Sequence, residues 1–158
     1  MRSSLLATLA LVAAVGCGPK DYQLPELGVT VTAPSGWSLA MTKYSIGAGS
    51  AEIRHGRRTV GFIDKAGDIS LTSASMDKEK AFVAGPHTVD TLAAALADAH
   101  VEAKDSFDHG FGVRYRVDGK PRFYYLVTAG GKEYPCTCND WIKDSEMAGA
   151  ISVCKGIH

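Results

Sequence analysis

The chain has 158 residues, 46% of them hydrophobic, and its 17 basic and 17 acidic side chains leave no formal net charge. That balance excludes a whole-molecule field drawing it to nucleic acid or to an anionic membrane surface. The length remaining after residue 16, about 140, suits one domain with a modest core.

The N-terminus reads Met1-Arg2-Ser3-Ser4, then an apolar run from Leu5 to Val15, then Gly16-Cys17-Gly18-Pro19. One positive charge, about a dozen apolar residues and small residues at the cut are the pattern of a signal peptide. The run is shorter than the roughly 20 residues that cross a bilayer core. Ala14-Val15-Gly16-Cys17 resembles the bacterial lipobox, with Ala14 where that motif usually has Leu. The resemblance implies cleavage before Cys17 and acylation of its thiol. One acyl chain binds reversibly, at about 0.8 kcal/mol per buried methylene, whereas two or three hold firmly. It also implies the cell envelope, with Gly18 in place of Asp favouring the outer membrane over the inner. The boundaries expected are a lipoprotein signal peptide over 1–16, a lipidated tether over 17–27 and one globular domain over 28–158.

Within the domain, Val29-Thr30-Val31-Thr32-Ala33 alternates as a strand ended by Pro34-Ser35-Gly36. Trp37-Ser38-Leu39-Ala40-Met41 alternates again and should bury Trp37, Leu39 and Met41. Ser50 to Arg54, His55-Gly56 and Arg57 to Ile63 form a hairpin, Gly56 supplying the positive φ. Ile69 to Thr72 is predicted as a short strand and Met76 to Ala84 as a short helix. Thr88 to His100 is predicted as a helix capped by Thr88, with Asp90 in its first turn and Val89, Leu92, Ala93 and Leu96 on one face. The C-terminal third reads as a three-stranded meander turning at Asp118-Gly119-Lys120 and Ala129-Gly130-Gly131. A last helix from about Asp144 to Lys155 places Met147, Ile151 and Cys154 on one face. Strands interrupted by one helix and closed by another indicate an α+β fold, an antiparallel sheet with helices packed on it.

A strand ending in Pro34-Ser35-Gly36-Trp37, followed by short strands, a helix, a meander and a C-terminal helix bearing Ser152-Val153-Cys154-Lys155, resembles the Mog1/PsbP-like α/β/α sandwich. That fold includes a nuclear transport factor that binds a small GTPase, an extrinsic subunit of photosystem II and many bacterial lipoproteins. The resemblance implies a binding or structural module rather than an enzyme, at the level of fold.

Three cysteines besides Cys17 form the strongest local constellation. Tyr134, Cys136 and Cys138 share one face of a strand, and Cys154 lies on the face of the closing helix that must pack on that sheet. A disulfide from Cys154 to Cys138 or to Cys136 is expected, stabilising by about 3 kcal/mol in the chain-entropy model. The alternative is a thiol- or metal-handling protein in which Cys136, Cys138 and Cys154 bind Cu(I) or zinc. Arg54, His55, Arg57 and Arg58 form a basic hairpin tip suited to lipopolysaccharide phosphates, a lipid head group or an acidic partner. Arg114 and Arg116 beside Tyr124 offer a second cationic and aromatic surface. No Gly-x-Ser-x-Gly elbow occurs, and Asp105, Asp108 and His109 would need a pocket to act as an acid/base group. Gly47-Ala48-Gly49-Ser50 lacks the lysine of a phosphate loop. The sequence therefore predicts a lipid-anchored envelope module, non-catalytic, without cofactor, metal, nucleotide or nucleic acid, its partners the bilayer through acylated Cys17 and an envelope protein.

Overall fold

The computed structural model describes residues 18–42 and 49–158. Cys17 and the residues before it, where the signal peptide is expected, and Gly47-Ala48 lie outside them. In chain order the elements are β1 (Lys20–Leu24), β2 (Val29–Ala33), β3 (Trp37–Met41), β4 (Ala51–His55), β5 (Arg58–Ile63), α1 (Met76–Ala84), α2 (Val89–Ala95), β6 (His100–Phe107), β7 (Gly110–Val117), β8 (Lys120–Ala129), β9 (Lys132–Cys138) and α3 (Asp144–Lys155). Strands β3 to β9 make one antiparallel sheet in the order β3-β4-β5-β9-β8-β7-β6, and β1-β2 form a separate ribbon. The fold is α+β, as the alternation of strands with a few helices requires.

Strand β8 shows how the layers are arranged. Its run Phe123-Tyr124-Tyr125-Leu126-Val127 is buried throughout, which happens when both faces of a strand are covered. Phe123, Tyr125 and Val127 join the core beneath α3 and the β1-β2 ribbon. Tyr124 and Leu126 join a second core with Leu71, Phe82, Leu92 and Leu96 from the α1-α2 side. Helices therefore cover both faces of the sheet. The α1-α2 layer is tied to the sheet by His87, which lies 2.6 Å from Glu133 and stacks on Phe82.

The turns follow their residues. Gly56 (φ +61°) opens a two-residue turn between paired His55 and Arg58, a positive φ at the first central residue being the II′ pattern. Asp118-Gly119 has positive φ at both positions, the I′ pattern. Helix α2 is capped as predicted: Thr88 Oγ1 accepts the Thr91 N–H, and Thr91 Oγ1 accepts the Thr88 N–H.

Four boundaries differ from expectation. The segment expected to be tether contains a strand, since Lys20 to Leu24 pair with Ala33 to Val29 and Leu24 and Leu27 are buried. The domain thus begins at Lys20, and only Gly18 and Pro19 separate it from Cys17. Ile69 to Thr72 is loop, because β5 already pairs with β9 along that edge. Leu71 instead plugs the helix-side core while its N–H donates to Glu79 at 2.7 Å. Helix α2 stops at Ala95, and the chain from His100 becomes β6. The meander therefore has four strands, β6-β7-β8-β9. As an edge strand, β6 needs few apolar residues, and its half-buried positions are Val101, Ala103, Asp105 and Phe107.

Gly149 in α3 faces the indole of Trp37, which stacks on His55 with ring centroids 4.7 Å apart. Alanine at an exposed mid-helix glycine gains about 1 kcal/mol. Here its methyl would press on a ring that cannot slide, and overpacking costs about 1–3 kcal/mol. Gly149→Ala is expected to lower the urea midpoint with the slope unchanged; a raised midpoint would show that the indole yields.

Candidate functional site

The predicted cysteine constellation is resolved in favour of one pairing. Cys136 and Cys154 form a disulfide with Cα atoms 5.8 Å apart, joining β9 to α3. Cys138 is free. Its thiol receives the Phe123 N–H at 3.1 Å, and burial pushes it up to about 11. A thiol held protonated is a poor nucleophile and a poor metal ligand. The three sulfurs are not available as a metal-binding set, and no group of three His, Cys, Asp or Glu that could hold a metal occurs among the described residues.

The basic hairpin tip is largely neutralised from within. Arg54 Nε donates to Glu52 at 2.7 Å and Nη2 at 2.5 Å. Glu146, only 5% exposed, takes Arg58 Nη1 at 2.9 Å and has His55 Nδ1 at 3.3 Å. Its other oxygen accepts the Lys143 N–H at the start of α3, at 3.0 Å. Burial works against the Glu146 charge, but this N–H, His55 and Arg58 together hold its carboxyl below the usual range. Arg57 alone of the four has neither an ion pair nor a side-chain hydrogen bond, and it is exposed. Trp141, whose carbonyl accepts from Arg58 Nη2 at 2.9 Å, is 71% exposed.

Two further expectations dissolve. Tyr124 is 2% exposed, so it forms no surface with Arg114 and Arg116. Arg116 instead bridges Glu102 and Asp144, each at 2.6 Å. Asp105 is engaged by Lys155 Nζ at 2.6 Å and Tyr125 OH at 3.0 Å, and His109 Nε2 donates to the Lys155 carbonyl at 3.0 Å. The lysine chiefly holds Asp105 low. These groups fasten the end of α3 to the sheet; Asp108 is exposed in the β6-β7 turn.

A different site emerges where β7, β8 and β9 meet the loop after β5. A polar cavity of about 250 Å³ is lined by Asp64, Ser70, Thr72, Tyr115, Arg122, Phe123, Tyr124, Thr137, Cys138 and Asp140. The Arg122 side chain, 11% exposed, pairs with Asp140 at 2.9 Å and donates to the Pro121 carbonyl. Burial raises Asp64, against the lowering effect of the hydrogen bond from Ser50 at 2.8 Å. Tyr115 OH lies 3.5 Å from Ser73 Oγ. The buried Tyr124 hydroxyl has no hydrogen-bond partner among the described residues, a condition that costs about 1–3 kcal/mol. Burial, then the nearby Asp64 charge, push that phenol well above its ordinary range. Arg122 and Asp140 compensate one another, and burial works against the charged form of Asp64. By contrast, an apolar hollow of similar volume between α1 and α2 (Phe82, Pro86, Ala94 and Ala95 among its walls) has no such convergence of polar groups.

No known protein family matches the chain, and no curated protein does. Among solved structures it is similar to the solution structure of cyanobacterial PsbP (CyanoP) from Synechocystis sp. PCC 6803, at 18% identity and a TM-score of 0.47. The match covers 95% of this chain and 98% of that one.

Two outcomes follow from these contacts. Replacing both Cys136 and Cys154 by alanine should cost about 3 kcal/mol in urea unfolding, whereas Cys138→Ala should cost much less; equal losses would contradict the pairing. Because the folded pKa of Glu146 lies below its ordinary 4.5, its contribution is present above pH 4.5 and lost as pH falls through the lowered value. Glu146→Gln should therefore destabilise by about 2 kcal/mol at pH 7 and flatten the acid limb of a stability–pH curve.

Proposed function

We propose that this chain is a lipid-anchored module of the cell envelope, held through acylated Cys17 in the outer membrane, which binds a small polar ligand and does no chemistry on it. The anchor follows from Ala14-Val15-Gly16-Cys17. The ligand-binding role rests on one observation, the polar cavity around Arg122 and Tyr124. Small-molecule sites are concave and use a few converging polar groups to fix orientation. Here Arg122, Ser70, Thr72 and Tyr115 supply donors, and Asp64 and Asp140 supply acceptors. The internal Arg122–Asp140 pair gives neither a free anion nor a free cation an uncompensated counter-charge.

Catalysis finds little support in the same groups. The Cys138 thiol is pushed up to about 11 and Tyr124 higher still, so neither is poised as a nucleophile or base near neutral pH.

Native mass spectrometry of the protein purified from its own envelope should show a non-covalent adduct, absent from Arg122→Ala; an identical adduct-free spectrum for both would contradict a ligand here. In ligand-free protein, Tyr124→Phe removes an unpaired buried hydroxyl. It should raise the melting temperature by about 2–4 °C for each kcal/mol regained.

A further inference from the structure

Two residues, Gly18 and Pro19, separate Cys17 from the start of β1. Fully extended, the span from Cys17 to Lys20 is about 10 Å. An acyl anchor at Cys17 would therefore hold the body of the domain against the bilayer surface, and the end of the molecule nearest Lys20 would face it. We propose that this end docks on anionic lipid head groups, with Arg57 and Trp141 seated in the head-group layer. The inference rests on the acylation of Cys17 proposed above and adds an orientation and a lipid chemistry to it.

Strand registers identify that end. Lys20 pairs with Ala33. The turn Pro34-Ser35-Gly36 then leads to Trp37, which pairs with His55, and His55 pairs with Arg58 across the Gly56-Arg57 turn. Each link is a strand pair or a tight turn, so the anchor point and the basic tip lie together. Through β9 and β8 the registers place the β7-β8 turn at this same end of the sheet.

The chemistry of the end suits a head-group layer. Lys20, Arg57, Lys120 and Lys143 are exposed and have no ion pair among the described residues. Arg54, Arg58, Arg116 and Arg122 are compensated by Glu52, Glu146, Glu102 with Asp144, and Asp140. Asp21 and Asp118 are exposed carboxylates here without an ion pair among the described residues. These residues are eight basic side chains against seven carboxylates, an excess of one positive charge, and each exposed cation near an anionic surface favours it about fivefold. Trp141 is independent of charge. Trp141 is 71% exposed, and tryptophan with its apolar body and N–H favours the membrane–water interface.

The acylated mature protein is reconstituted into vesicles of phosphatidylethanolamine with phosphatidylglycerol, or of phosphatidylcholine alone. Tryptophan quenching by a lipid carrying a nitroxide on its head group is then read. Wild type minus Trp141→Phe reports Trp141, because the second indole, Trp37, is retained in both. Trp141 should be quenched on the anionic vesicles. That quenching should fall by more than half in Arg57→Glu with Lys120→Glu, or in high salt. These variants alter exposed side chains without ion pairs and leave the core alone. If intact mass shows Cys17 acylated while Trp141 escapes the lipid-borne quencher, the docking proposal falls and the anchor stands. Equal quenching on phosphatidylcholine would overturn the anionic specificity. An unmodified Cys17 would remove the anchor and the docking together.

Discussion

Helix α3 is fixed to the rest of the fold at both ends by unlike bonds. At its N-terminus the buried Glu146 carboxylate gathers the Lys143 N–H, Arg58 and His55, drawing the β4-β5 tip onto the helix. Toward its C-terminus the Cys136–Cys154 bond ties it to β9. Lys155 reaches Asp105 on the edge strand β6. The last residues then turn into the ribbon: Thr30 and His158 exchange backbone hydrogen bonds at 2.9 Å each, and the Thr32 N–H donates to the Gly156 carbonyl at 2.9 Å. The ribbon is thereby a three-stranded patch closed by the C-terminus, with Val31 and Ile157 fully buried under it. That closure makes Lys20 part of the domain rather than part of a leash, which is the geometric basis for the proposed placement of one end of the molecule at the membrane.

Much of this was legible in the residues, and the failures have physical causes. Helix α3 was readable because Met147, Ile151 and Cys154 repeat at helical spacing. The β4-β5 hairpin and the meander turns were readable because glycine and Asp-Gly mark positive φ. The disulfide was foreseen as one of two pairings, because a strand face and a helix face must meet; spacing does not say which of two cysteines on one strand face reaches the helix. Strand β1 was missed because Lys20-Asp21-Tyr22-Gln23-Leu24 buries only Leu24 fully, and a ribbon stabilised by a distant C-terminus leaves no local periodicity. The end of α2 was overrun because alanine-rich sequence favours helix beyond Ala95, while the chain must turn there to reach the sheet edge.

The cavity was invisible for a different reason. Asp64, Tyr115, Arg122, Tyr124 and Cys138 come from three strands and the loop after β5, and none forms a motif with its neighbours. One signal existed. Consecutive tyrosines in a strand buried on both faces require two hydroxyl partners in opposite directions, and only Tyr125 finds one, in Asp105. The basic tip erred the other way, since three arginines and a histidine close in sequence suggested a field that Glu52 and Glu146 largely cancel. Charge compensation of this kind is set by tertiary neighbours and cannot be counted along a chain.

The most direct test is native-state hydrogen exchange at the Thr30, Thr32 and His158 amides, compared with β8 core amides such as Tyr125 and Val127. If α3 and the C-terminus lock the ribbon into the domain, the three amides will open only in the global unfolding reaction, with the same denaturant dependence as β8. Exchange through a separate, low-energy opening that leaves β8 protected would mean the N-terminal ribbon detaches on its own, and the account of a domain held close to its anchor would be wrong.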